Sequence, residues 1–187
     1  MRIKELLSNS APYILIALLV LLVWGCSPFK PLAEHVRQSE DTILLEVPYI
    51  PQARDNDCGP AALSSVLAYY GNAVALEDIT DEIYIPALGR TLLPDMENFA
   101  RARDFETFSG RGTIESLKQA INSGKPVIVF MEASPGLISR PHYIVVTGYT
   151  LSGFISHAGV MEDAFVDFEE FDQRWQAMNR LHLIIWK

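Results

Sequence analysis

The sequence predicts an α+β domain in which N-terminal helices pack on one side of an antiparallel sheet, and three observations carry that expectation. Apolar residues recur at helical spacing through Ala62, Leu63, Val66, Leu67 and Tyr70. Beyond Lys125 and Pro126 the chain turns to β-branched and aromatic runs of strand character. With 187 residues and no internal repeat or low-complexity tract, the length suits one domain with a substantial core plus a short appendage.

The appendage is N-terminal. Arg2 and Lys4 precede an apolar stretch over residues 11–24 that includes Ile14, Leu15, Leu18, Leu19, Leu21 and Leu22. That stretch is short for a bilayer span and long enough for the apolar region of a secretory signal. It ends in Leu22-Val23-Trp24-Gly25-Cys26-Ser27, which resembles a bacterial lipoprotein cleavage box with Cys26 as the lipidated first residue. Trp24 is bulky for its place in such a box, and an uncleaved N-terminal anchor is the alternative. Ser27 in second place resembles lipoproteins sorted onward to an outer membrane. The expectation is a signal over residues 1–25, a tether over 26–42 with Pro28 and Pro31 early, and a domain over 43–187. The domain would be held to a membrane of the bacterial cell envelope, facing the periplasm or exterior.

Residues 43–50 read as an extended segment, interrupted by Pro48, that delivers Pro51 and Gln52. A helix over 60–70 follows, with proline tolerated in its first turn and Gly71-Asn72 as its stop. Further helices are expected over 77–84, 94–103 and 113–123, the last capped by Thr113 and closed by Gly124. Residues 85–91 read as irregular. Strands are expected over 127–131, 142–149, 154–157 and 181–186, while Phe168, Phe171 and Trp175 read as core packing.

The chemistry concentrates in Gln52-Ala53-Arg54-Asp55-Asn56-Asp57-Cys58-Gly59-Pro60. A cysteine opening a helix meets unpaired N–H groups and a partial positive charge, both of which favour the thiolate. A free cysteine is more often a small buried hydrophobe. Here the polar approach through Asp55, Asn56 and Asp57 belongs at a surface, and Gly59 permits close approach by a ligand. Asp57 would oppose ionisation if it faced the sulfur. His142, following Pro141 at the mouth of a strand, is the candidate base, and the Gln52 amide is placed to donate to an oxyanion.

His157 is the candidate for the third position, orienting His142. If residues 142–149 and 154–157 form a hairpin, His157 lies opposite His142; a one-residue slip would present Ser156 or a backbone carbonyl instead. Cys58, His142 and His157 are also zinc-ligand types, but no Cys-x-x-Cys or His-Glu-x-x-His spacing accompanies them, so neither metal nor cofactor is expected. The two cysteines suit separate chemistries, one acylated and one reactive, with a Cys26–Cys58 disulfide the competing arrangement. His35 and His182 read as incidental. Lys125, Arg90 and Arg140 are loop cations, either solvated or facing a substrate carboxylate, and residues 134–140 around Gly136 would form a flap. A formal charge of −8 with no basic run excludes a nucleic-acid partner and makes polyanions poor substrates.

Together, Val47-Pro48-Tyr49-Ile50-Pro51-Gln52, Asp57-Cys58-Gly59-Pro60-Ala61-Ala62-Leu63, Tyr69-Tyr70-Gly71, Gly124-Lys125-Pro126-Val127-Ile128-Val129 and Pro141-His142-Tyr143-Ile144-Val145-Val146-Thr147-Gly148-Tyr149 resemble the papain-like bacteriocin-processing cysteine peptidases, over about residues 43–160. The resemblance implies a papain-like fold, Cys58 as nucleophile, His142 as base, and Gln52 with the Cys58 N–H as oxyanion hole. In that family an aspartate usually follows the histidine on the next strand. Here that stretch is Phe154-Ile155-Ser156-His157-Ala158-Gly159, and His157 is the substitute. A histidine in third place resembles the NlpC-type cell-wall hydrolases of the same superfamily. Family members that cleave double-glycine leaders are usually fused to an ATP-binding transporter; no such segment is read here, so a stand-alone lipoprotein form without ATP binding is expected. The resemblance thus implies a membrane-tethered peptidase acting on a peptide or protein substrate through an acyl-enzyme. A catalytically weak peptide- or partner-binding lipoprotein and a cell-wall peptide amidase are the alternatives.

Overall fold

Phe29 is where the chain first joins the core. In the computed structural model, which describes residues 29–54, 56–133 and 140–187, it is 8% exposed and packs in an apolar cluster with Phe154 and Val166. Strand β1 (Lys30–Pro31) follows, then a short helix α1 (Glu34–Arg37) and strand β2 (Ile43–Leu44). Next come helices α2 (Cys58–Tyr69) and α3 (Leu76–Ile83), the small hairpin β3 (Tyr84–Ile85) and β4 (Arg90–Thr91), and helix α4 (Leu93–Arg101). Strand β5 (Glu106–Arg111) and helix α5 (Ile114–Asn122) lead into β6 (Val127–Glu132), β7 (Pro141–Tyr149), β8 (Gly153–Ala158) and β9 (Met161–Asp167). Helix α6 (Phe168–Ala177) and strand β10 (Leu181–Trp186) complete the described chain.

The main sheet is antiparallel in the order β1-β9-β8-β7-β6-β10-β5, with β2 added to β7. The α+β expectation holds, but the helices are not confined to one side. Leu63, Val66, Leu67, Ile79, Met96 and Phe99 of α2, α3 and α4 pack on one face against Ile128, Val145, Leu183 and Ile185. Leu117 and Ile121 of α5 and Phe171 and Trp175 of α6 cover the other face against Val129, Ile144, Val146 and Val166. The central strands therefore bury both faces, which is why β6 and β7 are near-continuous apolar runs rather than alternating ones.

The four expected helices are present, and Thr113 caps α5 through reciprocal bonds with Ser116. Helix α6 went unread although its signal was present: Asp167 accepts the Glu170 N–H at 2.9 Å, and Phe168, Phe171 and Trp175 share a face. Strands β5 and β9 were missed because ETFSGR and MEDAFVD carry charge and glycine in place of a clean alternation.

The stretch expected to be a tether is docked on the domain from Phe29 onward. Lys30 and Pro31 pair with Phe165 and Ala164 of β9, and Arg37 forms an ion pair with Asp163. An apolar anchor followed by strand pairing offsets the entropy of ordering the segment. The expected signal and Cys26, and the flap apart from Arg140, lie outside the described residues.

Candidate active site

Three backbone ties bring Gln52 to the head of α2. The Leu45 N–H donates to Thr147 O at 2.9 Å, Val47 is buried against α2, and the Ile50 N–H donates to Ser65 Oγ at 3.2 Å. Cys58 is the first residue of α2, so its thiol sits at the helix start that the sequence indicates. Asp57, 4% exposed, contributes its backbone rather than its side chain, accepting the Ala61 N–H at 2.9 Å.

Cys58, His142 and Gln52 line one open cavity of about 560 Å³, together with Tyr143, Thr91, Arg90, Arg140, Asn56 and Phe130. The half-buried thiol receives backbone hydrogen bonds from Tyr143, Gly59 and its own N–H. Burial nevertheless pushes the thiol above its ordinary value, and the Asp57 carboxylate adds to that rise. Burial likewise lowers His142. Both directions favour a neutral thiol and a neutral imidazole, so desolvation at this site outweighs the helix-start charge expected to make the sulfur anionic. No hydrogen bond joins thiol to imidazole among the described contacts. Such bonds often tighten only once substrate fills a cleft.

The Nε2 of His142 faces Gly159 at the β8–β9 turn, where a Cβ would lie 3.5 Å from it. Gly159 has φ +61°, and its carbonyl accepts the Tyr49 hydroxyl at 2.9 Å. His157 lies elsewhere. It pairs with Val145, not His142, because the β7–β8 hairpin closes on Tyr149 and Phe154, which sets His157 three residues short of His142 along β7. Its Nδ1 accepts the Asp163 N–H at 3.3 Å, so the proton rides on Nε2, which donates to Val47 O at 2.9 Å. Both ring nitrogens are thus engaged away from His142, and the expectation that His157 orients the base is not met by this geometry. The ring instead pins the segment leading to Gln52, with Tyr49 edge-on at 5.3 Å.

Gln52 lines the cavity with Cys58, and its amide oxygen Oε1, an acceptor, is buried with no partner among the described residues. Gly59 serves packing: a Cβ there would lie 3.0 Å from Thr91 Cβ and 3.4 Å from the Tyr143 ring. Sequence reasoning missed Tyr143, whose N–H reaches the thiol and whose ring packs on Phe130 at 4.7 Å. It also missed the hairpin of β3 and β4, whose only signal was Gly89 at φ +62° in a stretch read as irregular. Among the described residues Cys58 is a free cysteine, no group of three His, Cys, Asp or Glu side chains is arranged to hold a metal, and no helix is long and apolar enough to cross a membrane.

The family model described as the Peptidase_C39 like family matches residues 44–183. No curated protein is a significant match. Among solved structures, a double glycine motif protease from an AMS/PCAT transporter, in complex with the leader peptide, is 25% identical with a TM-score of 0.61, over 76% of this chain and 92% of that one. A C39-like peptidase from Bacillus anthracis is 20% identical with a TM-score of 0.66, over 79% and 98%. The peptidase domain of Streptococcus ComA, a bifunctional ABC transporter involved in quorum sensing, is 24% identical with a TM-score of 0.61, over 74% and 98%. These last two likenesses speak to the fold, an antiparallel sheet with helices packed against it.

Proposed function

Because this chain belongs to the Peptidase_C39 like family, we propose that it is a membrane-tethered cysteine peptidase that hydrolyses peptide bonds through a Cys58–His142 acyl-enzyme. The observation that carries the proposal is the convergence of the Cys58 thiol, His142 and the Gln52 side chain on one cavity. The double glycine motif protease in complex with its leader peptide supports a peptide as the class of substrate. The apolar stretch over residues 11–24 and Cys26 support the tether.

In this mechanism a peptide carbonyl enters beside a neutral pair. His142 takes the thiol proton as Sγ bonds to the carbonyl carbon, and the Cys58 N–H and the Gln52 amide donate to the oxyanion that develops. The protonated imidazole passes its proton to the leaving amine as the C–N bond breaks. Water then attacks the thioester, gives its proton to His142, and the acyl group leaves as a carboxylic acid while the thiol is restored. His157 acts as a positioning residue, holding Val47 and so the path to Gln52.

The test is Cys58→Ala. It is expected to abolish hydrolysis and covalent labelling by a thiol-directed peptide inhibitor while the circular dichroism spectrum stays unchanged; equal labelling of both proteins would sink the assignment. Gln52→Ala is expected to lower kcat on the order of a hundredfold by removing one oxyanion donor. Palmitate incorporation lost in Cys26→Ala would test the lipid tether.

A second reading, a peptide-binding lipoprotein of weak activity, is favoured by the glycine that faces His142 Nε2 and by the raised thiol. It predicts peptide binding that survives Cys58→Ala without turnover in the wild type. The cell-wall amidase alternative leaned on His157 as third residue, and the engagement of that ring with Val47 and Asp163 removes this support.

A further inference from the structure

We propose that the cleft selects peptides carrying a carboxylate close to the scissile bond, held between Arg90 and Arg140. The proposal rests on the peptidase reading of Cys58 and names the substrate class of that site. Its basis is a contrast in charge. The chain is acidic overall at −8, yet among the described residues the two charged side chains lining the cavity around Cys58 are both arginines. They come from separate elements, Arg90 from β4 and Arg140 from the start of the segment entering β7.

Five arginines elsewhere in the fold, Arg37, Arg101, Arg103, Arg174 and Arg180, each form an ion pair with an Asp or Glu. Arg90 and Arg140 form none among the described residues. Two carboxylates stand behind the walls without lining the cavity: Glu132 accepts the Arg140 backbone N–H at 2.5 Å, and Asp95 acts on the Tyr143 hydroxyl, where Arg90 opposes it. A further donor waits on the same strand as Arg90. Thr91 is 3% exposed, its Oγ1 is buried with no partner, and it lines the same cavity.

Guanidinium groups suit a carboxylate because their planar N–H forks match its two oxygens. The ligand chemistry has two sources, an Asp or Glu side chain within a peptide or a free C-terminal carboxylate. An acidic polymer is a different matter, since the surrounding negative charge repels it at long range while one carboxylate inside the cleft can sit beside the two arginines.

The experiment uses fluorescein-labelled decapeptide pairs that differ by Glu or Gln at one position, each made with a free and an amidated C-terminus. Binding is read by anisotropy on full-length Cys58→Ala protein in detergent, and hydrolysis on the wild type. The proposal expects a preference for the carboxylate member on the order of tenfold, screened by salt and collapsing toward one in Arg90→Gln/Arg140→Gln. The charge-reversed Arg90→Glu/Arg140→Glu is expected to favour a Lys-bearing partner peptide, which keeps the test valid if the glutamine double variant folds poorly. Preference that follows the Glu side chain assigns internal acidic residues; preference that follows the free C-terminus assigns terminal carboxylates. Equal affinity within every pair, no binding at all, or a preference untouched by both double variants would overturn it. Carboxylate-selective binding without hydrolysis would sink the peptidase reading alone, and hydrolysis without Glu-over-Gln selection would sink this inference alone.

Discussion

The backbone N–H of Tyr143 donates to the Cys58 thiol, which ties the sulfur at the head of α2 to the strand residue next to His142. The donor is main chain and stays in place whatever the imidazole does, while the Cys58 side-chain rotamer sets whether the sulfur meets it. It also partly offsets the desolvation of the thiol without reversing it. Burial favours a protonated sulfur at rest, so the proposed mechanism needs a proton acceptor brought close as substrate binds.

That arrangement predicts how Cys58 reacts with iodoacetamide. Because burial raises the thiol above its ordinary value, the thiolate fraction falls as pH is lowered, and the alkylation rate should climb through and beyond the free-thiol range near pH ~8.5. A rate plateau persisting below about pH 6 would instead reveal a thiolate–imidazolium pair.

His157 is expected to behave as a structural ring. His157→Ala leaves Val47 O and the Asp163 N–H without their partner, at a cost of about 1–3 kcal/mol, read as a lower urea midpoint. The pH profile of Cys58 alkylation should keep its shape. Altered alkylation with an unchanged midpoint would restore His157 to a role on His142.

Gly148 marks where β2 crosses β7. A Cβ there would lie 2.3 Å from the Ile43 carbonyl oxygen and 2.9 Å from Leu44 Cα, both backbone atoms that have no rotamer to yield. Gly148→Ala is therefore expected to cost about 1–3 kcal/mol and to speed hydrogen exchange at the Leu45 amide, which bonds Thr147 O. Exchange at wild-type rate would show that β2 is not held there.

Acid should weaken the fold. His142 and His182 have folded values lowered by burial, and His182 is 2% exposed with Nδ1 unpartnered between Phe108 and Trp175. For a depressed group the stabilisation is present above the unfolded value near ~6.5 and is lost as pH falls through the folded value, at no more than about 1.4 kcal/mol per pH unit for each histidine. His182→Leu should flatten that slope in urea melts between pH 7.5 and 5. An unchanged slope would assign the loss to other groups.

Local patterns announced much of this molecule. The helical spacing from Ala62 to Tyr70, the Thr113 cap and the apolar runs of β6 and β7 each carry their own signal within a few residues. Cys58 and Gln52 were legible for the same reason, since a polar run before an apolar helix is a local pattern. The docking of Phe29 was not, because its partners lie more than a hundred residues away, and the two-sided covering of the sheet was not, because which face a helix takes depends on how the layers close.

The sequence by itself determined that helices would meet an antiparallel sheet and singled out Cys58, His142 and Gln52, which line one cavity, since residue type and periodicity act over short range. Tertiary structure decided where His157 points, that burial raises the thiol, and that Arg90 and Arg140 share a cleft. Register, desolvation and the meeting of distant loops arise only once the layers close, and the pairing of Tyr149 with Phe154 at the β7–β8 turn sets His157 against Val145, three residues from His142.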